Sequence, residues 1–377
     1  VSTPIPEKNA AGDDFAAASS ESSAVLSDIP RYSQSDIADA SRVPASGIKR
    51  LNVVLFFITL LTTTMAGAII SGADVSLLHP LSSAIGLYVG LSFSIPLMGI
   101  LLAHEMGHYV TARRNRVDCS APYFIPSPYL LWLPLIGPVF LIGTFGAFIR
   151  LRSMPRSRRI MFDIGAAGPW AGMLVAVPVL VIGLLFSKVG PLDKSVGGIQ
   201  LGNSLLFYQI SRWVLHVDPN AVSVDLSPIA FAGWLGFLVT MLNLLPVGQL
   251  DGGHVVYALF GRWHRTISRL FVFGFLLMTA YQFFFNIGSW AGWMFWVVLL
   301  FVLGLGHPVT ADADTPLDPM RRFAAWATIA LFIVTFSPEP LSFVAPSTPP
   351  QQEEKLYSVQ ALPHRSPRAP HFSRISL

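Results

Sequence analysis

The sequence predicts an all-α polytopic membrane protein with about seven transmembrane helices and a short membrane-associated strand or re-entrant hairpin after the second. Three observations predict it. The chain of 377 residues is 53% hydrophobic and only 12% charged, whereas a soluble domain carries about a quarter charged residues. Apolar runs of about 20 residues, enough to cross the hydrocarbon core, recur along the chain. Basic residues gather at alternate ends of those runs, as the positive-inside rule requires.

Residues 1–48 are rich in Ala, Ser, Asp and Pro and show no sustained apolar periodicity. They read as a disordered N-terminal segment. Glu7, Asp13, Asp14, Glu21 and Asp28 argue against a transit peptide, and no signal-peptide pattern precedes the first apolar run. The expected spans run at about 51–72, 82–112, 163–187, 226–248, 270–286, 288–306 and 322–338. Together they form a membrane-embedded domain over 49–338, followed by a Pro- and Ser-rich disordered tail over 339–377.

The charges orient these spans. With the N-terminus inside, beside Arg42, Lys49 and Arg50, the second span ends inside at Arg113, Arg114 and Arg116. The third begins inside after Arg150, Arg152, Arg156, Arg158 and Arg159. The fourth ends inside ahead of Arg262, Arg265 and Arg269, and the seventh starts inside at Arg321 and Arg322. The net charge of +4 is thereby accounted for by topology, so the expected partner is the lipid bilayer and not nucleic acid. The single cysteine, Cys119, excludes an intrachain disulfide.

The apolar stretch at about 129–149 contains Pro134, Pro138, Gly137, Gly143 and Gly146. Proline in a helix interior costs about 3 kcal/mol, so a straight span is not expected there. Residues 143–149 read as a short strand or re-entrant loop, which needs protein or a wet cavity around it. The loop at 188–225 is too small for a typical folded domain.

Chemistry concentrates near the inner end of the second span, in His104-Glu105-Met106-Gly107-His108. His104 and His108 are four residues apart and share a helix face, so both imidazoles can reach one metal ion. Glu105 is offset and free to act as general base. The alternative is a polar helix end reaching for the interface. Ionisable groups cost roughly 2.5–3.5 kcal/mol each at membrane depth and usually persist for a function.

A third ligand is needed. The segment from Asn243 through Pro246 and Gly248 to Asp251 supplies a carboxylate at matching depth, since the second and fourth spans run in the same direction. Taken alone, Asp251 reads equally as the cap of a helix starting near Gly252. With the His pair it reads as a ligand. Two His, one Asp and an open position describe a hydrolytic Zn2+ site. Asn243 could hold an oxyanion or substrate backbone, or make an interhelical hydrogen bond. His254 could steady Asp251, and His307 reads as a helix-end partner of the dipole. Both are left out of the metal set.

These residues resemble the site-2 protease family of intramembrane zinc metalloproteases. The family's signatures are a His-Glu-x-x-His helix and an Asn/Asp-x-x-Pro-x-x-x-x-Asp-Gly segment, and both are present in order. Pro122-Tyr123-Phe124-Ile125-Pro126, Gly143-Thr144-Phe145-Gly146-Ala147-Phe148 and Gly165-Ala166-Ala167-Gly168-Pro169-Trp170-Ala171-Gly172 look like its plastid and bacterial branch, typified by the ethylene-dependent gravitropism-deficient and yellow-green proteins. The resemblance implies His104, His108 and Asp251 as ligands of one Zn2+ and Glu105 as catalytic base. It implies metalloendopeptidase activity on single-pass membrane-protein substrates, with residues 143–149 receiving unwound substrate by strand addition. No inserted regulatory domain is evident. The acidic N-terminus tilts the expected location toward a bacterial inner membrane over a plastid membrane.

Two other readings compete. A transporter or metal permease predicts metal-binding groups spread along a path and paired broken helices in two repeated halves. The sequence has one cluster at one depth. An inactive protease-like scaffold predicts loss of Glu105 or a ligand, and all four are intact.

Overall fold

The computed structural model describes residues 47–71, 83–127, 142–191, 198–285, 310, 312, 315–338, 340–344 and 375–376. The first helix, α1, covers Arg50–Ile70, and α2 covers Ala84–Arg114. Strands β1 (Tyr123–Pro126) and β2 (Thr144–Phe148) follow, then α3 (Arg158–Leu185). Next come β3 (Lys188–Pro191), β4 (Gly198–Leu201), α4 (Leu205–Leu215), β5 (Val222–Asp225) and α5 (Pro228–Asn243). The chain continues through α6 (Asp251–Phe260), a 3-10 turn, α7 (His264–Phe285) and α8 (Pro319–Thr335), and then β6 (Leu341–Val344) and β7 (Ile375–Ser376).

Local chemistry explains where the helices start. Ser83, Ser157, Ser204 and Ser227 each accept a hydrogen bond from a backbone N–H in the first turn of α2, α3, α4 and α5. Pro228 and Pro319 stand where a helix has no use for the missing N–H. Arg113 and Arg114 close α2 at the negative end of its dipole. Pro96 in α2 and Pro169 and Pro178 in α3 sit inside continuous helices, because packed membrane helices can satisfy the freed backbone groups.

Among the described residues, four segments are long and apolar enough to cross a membrane: α1, α2, α3 and the combined stretch Asp251–Phe285. The chain is a helical, multi-pass membrane protein. Of the seven expected spans, the first three coincide with α1, α2 and α3. The fourth ends as helix at Asn243, short of residue 248, because Pro246 cannot continue it and Gly248 adopts a left-handed φ of 56°. The fifth coincides with α7 up to Phe285, where the described residues end, and the seventh lies largely within α8. The sixth lies outside the described residues. So do His307, most of the N-terminal segment and most of the tail. The described part of the tail includes β6, which pairs with β4.

The core sits where α2, α3 and α5 meet. Phe93, Leu97 and Ile100 of α2 pack with Met173, Ala176 and Leu180 of α3 and Phe231, Leu235 and Phe237 of α5. Small residues set the spacing. A Cβ on Gly183 would lie 2.1 Å from the Ala230 nitrogen, and one on Gly233 would lie 2.7 Å from the Leu180 Cα. Membrane helices gain little from burying apolar surface, so close backbone approach supplies the contact instead. On the outward faces Leu51, Phe57, Leu61, Leu174, Ile182, Phe273 and Phe284 stay exposed to the surroundings. Lipid is the solvent that suits them.

The strand expected at 143–149 is present as β2. It pairs antiparallel with β1, in the register Tyr123↔Phe148 and Phe124↔Ala147. The loop at 188–225 is more ordered than its length suggests, holding α4 and strands of a second, five-stranded sheet.

Candidate metal and catalytic site

His104 lies ten residues before the Arg114 end of α2, about 15 Å along the axis at 1.5 Å per residue. The site is therefore set in from the arginines that close α2. One helical turn brings both imidazoles to the same side. Their rings meet edge to face with centroids 4.8 Å apart, and their Nε2 atoms are 3.1 Å apart. Asp251 Oδ2 lies 3.2 Å from each Nε2. Among the described residues these three form the one group of His, Cys, Asp or Glu arranged to hold a metal ion.

The arrangement can be tested against a cation. His108 Nδ1 donates to the Ile164 carbonyl at 2.7 Å, which leaves its Nε2 with a lone pair. That lone pair faces a second imidazole nitrogen and a carboxylate oxygen, a cluster that one proton cannot satisfy. A tetrahedral zinc with bonds of about 2.0–2.1 Å holds neighbouring ligand atoms about 3.3 Å apart. The observed edges of 3.1 and 3.2 Å match this, so the donor set fits zinc. The carbonyl bond from His108 is the outer support that metal-ligating histidines usually carry.

Asp251 reaches this position from its own helix. The cap of α6 is Leu250, and Asp251 is the first helical residue. Its carboxylate turns to the histidines, away from the capping role that the sequence alone left open. The turn from Asn243 to Asp251 is held by Leu250 N–H to the Val247 carbonyl at 3.2 Å. Gly252 and Gly253 pass so close to the turn that a Cβ on either would lie within 2.0 or 2.4 Å of a backbone oxygen. Asn243 ends α5 with its amide nitrogen 3.3 Å from His104 Nε2. His254 packs its Cβ against Gly165.

Glu105 is buried, 6% exposed, within electrostatic reach of both histidines and Asp251. The backbone of Ile149, one residue past β2, hydrogen-bonds its carboxylate. The strand pair thus ends beside the expected base.

Sequence reasoning missed the supports. Gly168 and Gly172 of α3 face the histidines. A Cβ on Gly168 would lie 2.0 Å from His108 Nε2, and one on Gly172 would lie 3.2 Å from His104 Nδ1. Gly107, between the two histidines, leaves room for the Ala167 carbonyl at 2.5 Å from its would-be Cβ. The signal was the run of small residues at 165–172, a sign of close helix approach, but nothing in it named the histidines as neighbours.

Residues 92–287 match Peptidase family M50. The chain is 35% identical over 193 residues to "Probable zinc metalloprotease EGY1, chloroplastic" of Arabidopsis thaliana, covering 50% of this chain and 32% of that one. It is 35% identical over 189 residues to the protein of the same description in Oryza sativa subsp. japonica, covering 49% and 29%. With "Probable zinc metalloprotease EGY2, chloroplastic" of Arabidopsis thaliana it shares 27% over 247 residues, 65% of this chain and 41% of the relative. The chain thus matches well under half the length of these relatives. No solved structure matches it. The M50 match takes in His104, Glu105, His108, Asn243 and Asp251, and the chain belongs to that family, the site-2 proteases its motifs resemble.

Proposed function

We propose that the chain is a zinc-dependent intramembrane endopeptidase, cutting peptide bonds within transmembrane segments of single-pass membrane proteins. The observation that carries this is the triangle of His104 Nε2, His108 Nε2 and Asp251 Oδ2, with edges of 3.1 to 3.2 Å, and buried Glu105 beside it. Family membership and relatives described as probable zinc metalloproteases support it.

In this reading His104, His108 and Asp251 hold one zinc, which would polarise the scissile carbonyl and make water nucleophilic near neutral pH. Glu105 takes the proton of the attacking water and delivers it to the leaving amine. The Ile149 backbone keeps its carboxylate aimed into the site. With His104 Nε2 serving as a metal ligand, the Asn243 amide would be free to donate to the carbonyl oxygen of the substrate as charge develops there. Substrate adds as a strand alongside the β1–β2 pair, which supports only two strands among the described residues and so has unpaired edge groups to offer.

The protease domain spans 49–338 in this account, between a disordered segment at 1–48 and a tail at 339–377. It crosses the bilayer about seven times with its N-terminus on the basic, inner side. The chloroplastic relatives favour a plastid membrane over the bacterial inner membrane expected from the acidic N-terminus. A permease is disfavoured because the metal-ligating groups described form a single cluster.

Purified protein in detergent, given a model transmembrane substrate, tests the proposal. Cleavage inside the apolar segment, abolished by chelator and restored by zinc, is expected. Cleavage that survives complete metal removal would refute it.

A further inference from the structure

α1 carries a buried amide that the site chemistry does not use. Asn52, in its first turn, is 6% exposed and saturated with hydrogen bonds. Its Nδ2 donates to the Ala121 carbonyl at 3.1 Å and to the Pro122 carbonyl at 2.9 Å. Its Oδ1 accepts from the Lys49 N–H at 3.0 Å. An amide in an apolar helix is costly unless satisfied, and here its partners are the two residues that lead into β1.

A second attachment lies further along the same helix. Thr62 Oγ1 donates to the Gly143 carbonyl at 2.6 Å, just before β2. Gly143 has φ of 81°, and a Cβ there would lie 2.4 Å from the Thr62 carbonyl, so the strand pair rests directly on the α1 backbone. Between the two points Phe56 packs edge to face on Phe124 at 5.1 Å. The spacings agree. Asn52 to Thr62 is about 15 Å along a helix. Pro122 to Ser127, whose N–H donates to the Gly143 carbonyl at 3.1 Å, is about 16–17 Å along a strand. The strand pair therefore lies along α1 and is fastened at both ends, and the end fastened by Asn52, where Tyr123 pairs with Phe148, is the one that meets Glu105 through Ile149.

We propose that Asn52 is a positioning residue for proteolysis: from α1 it fixes the axial position of the β1–β2 pair, and so the register in which an added substrate strand meets Glu105. This rests on the strand-addition reading above. Thr62 is the second fastening of the same unit, so α1 and the strand pair move together.

The test uses Asn52→Leu, which suits a membrane helix but makes none of the three hydrogen bonds, and Thr62→Val, which removes one hydroxyl. Each is purified beside wild type with zinc content checked. Product masses from a model transmembrane substrate are measured together with hydrogen exchange of the β1 and β2 amides. Wild type is expected to cut one bond. Asn52→Leu is expected to spread cleavage over neighbouring bonds, raise KM roughly tenfold for the two lost hydrogen bonds to the Ala121 and Pro122 carbonyls, and exchange its strand amides faster while α3 and α5 are unchanged. Thr62→Val should act in the same direction more weakly. General destabilisation would reduce the amount of active enzyme without moving the cut. If Asn52→Leu binds zinc and cuts the same single bond with unchanged KM, the inference is wrong. If Asn52→Leu does not fold, Thr62→Val decides: an unmoved cut with unchanged strand exchange overturns it. Should wild type itself fail to cut, the strand-addition reading falls, and the role of Asn52 in proteolysis falls with it. That result differs visibly from an active wild type with an indifferent variant.

Discussion

Gly168→Ala should deprive the protein of its metal although it adds one methyl group far from any ligand atom in sequence. The added Cβ would lie 2.0 Å from His108 Nε2, 2.4 Å from Cε1 and 2.5 Å from Cδ2. Ordinary contact begins at 3.4 Å, so the ring or the helix must give way by about 1.4 Å. Zinc ligands tolerate about 0.2 Å. The ring cannot turn in place without losing its bond to the Ile164 carbonyl. Separating α2 from α3 instead would open the core contact of Phe93, Leu97 and Met173. Disturbing a ligand's outer support typically costs ten- to a hundredfold in metal affinity. Displacing the ligand itself should cost at least about a hundredfold on that scale. Helix stability works in the opposite direction, since Ala is favoured over Gly by about 1 kcal/mol. Gly172→Ala is the internal control, because its Cβ meets His104 at 3.2 Å and a shift of a few tenths of an ångström relieves it. Its loss should stay under about tenfold. Chelator competition on the purified variants, with helicity checked by circular dichroism, measures both. Wild-type zinc affinity in Gly168→Ala would show that α3 does not back His108 as described.

Asn243→Ala should keep zinc but lose about 10²–10³-fold in kcat if the amide meets the oxyanion, whereas unchanged kcat would reduce it to an interhelical contact. Arg321→Ala breaks the two-pronged pair with Asp163, both bonds 2.8 Å. Because the arginine side chain is 38% exposed, the stability loss should be about 1 kcal/mol or less, with cleavage unchanged in a thermal-shift and activity comparison. Burial pushes the Cys119 thiol up from its ordinary value, so alkylation at pH 8 followed by mass spectrometry should label it slowly in the folded protein and fast after denaturation. Asp318 caps α8, and its carboxyl is held below the usual carboxylate range by the Arg321 backbone N–H and then by the guanidinium. A depressed value means the cap is complete above about pH 4 and fades as pH falls through the lower folded value. Exchange of the Arg321 amide should therefore accelerate only in acid, and Asp318→Asn should flatten that dependence.

What the sequence revealed of the site was its titratable part. His104, Glu105 and His108 follow from a four-residue spacing on one helix face, and the depth of Asp251 follows from the charge alternation that sets span direction. The supports were illegible for physical reasons. The Ile164 carbonyl and the Ile149 backbone are main-chain groups, which no side-chain pattern marks. Gly168 acts by lacking an atom, and its effect depends on which helix lies opposite. Asn52 sits at the start of an apolar run, and its partners at 121 and 122 are some 70 residues away. The fold divides similarly. Hydropathy located α1, α2 and α3 to within a few residues. It carried the fourth span past Asn243 because Leu244, Leu245 and Val247 are apolar, although they belong to the turn that delivers Asp251. It gave no span over α6, ten residues long, which only the capping reading of Asp251 signalled.

The central claim is that His104, His108 and Asp251 hold a zinc on which Glu105 acts as base. Zinc content and cleavage of one transmembrane substrate, measured together on wild type and Glu105→Gln, test it most directly. About one zinc per chain is expected in both, with cleavage slowed by roughly 10²–10⁴-fold in the variant. Undiminished cleavage by Glu105→Gln, or an active wild type that binds no zinc, would contradict the account.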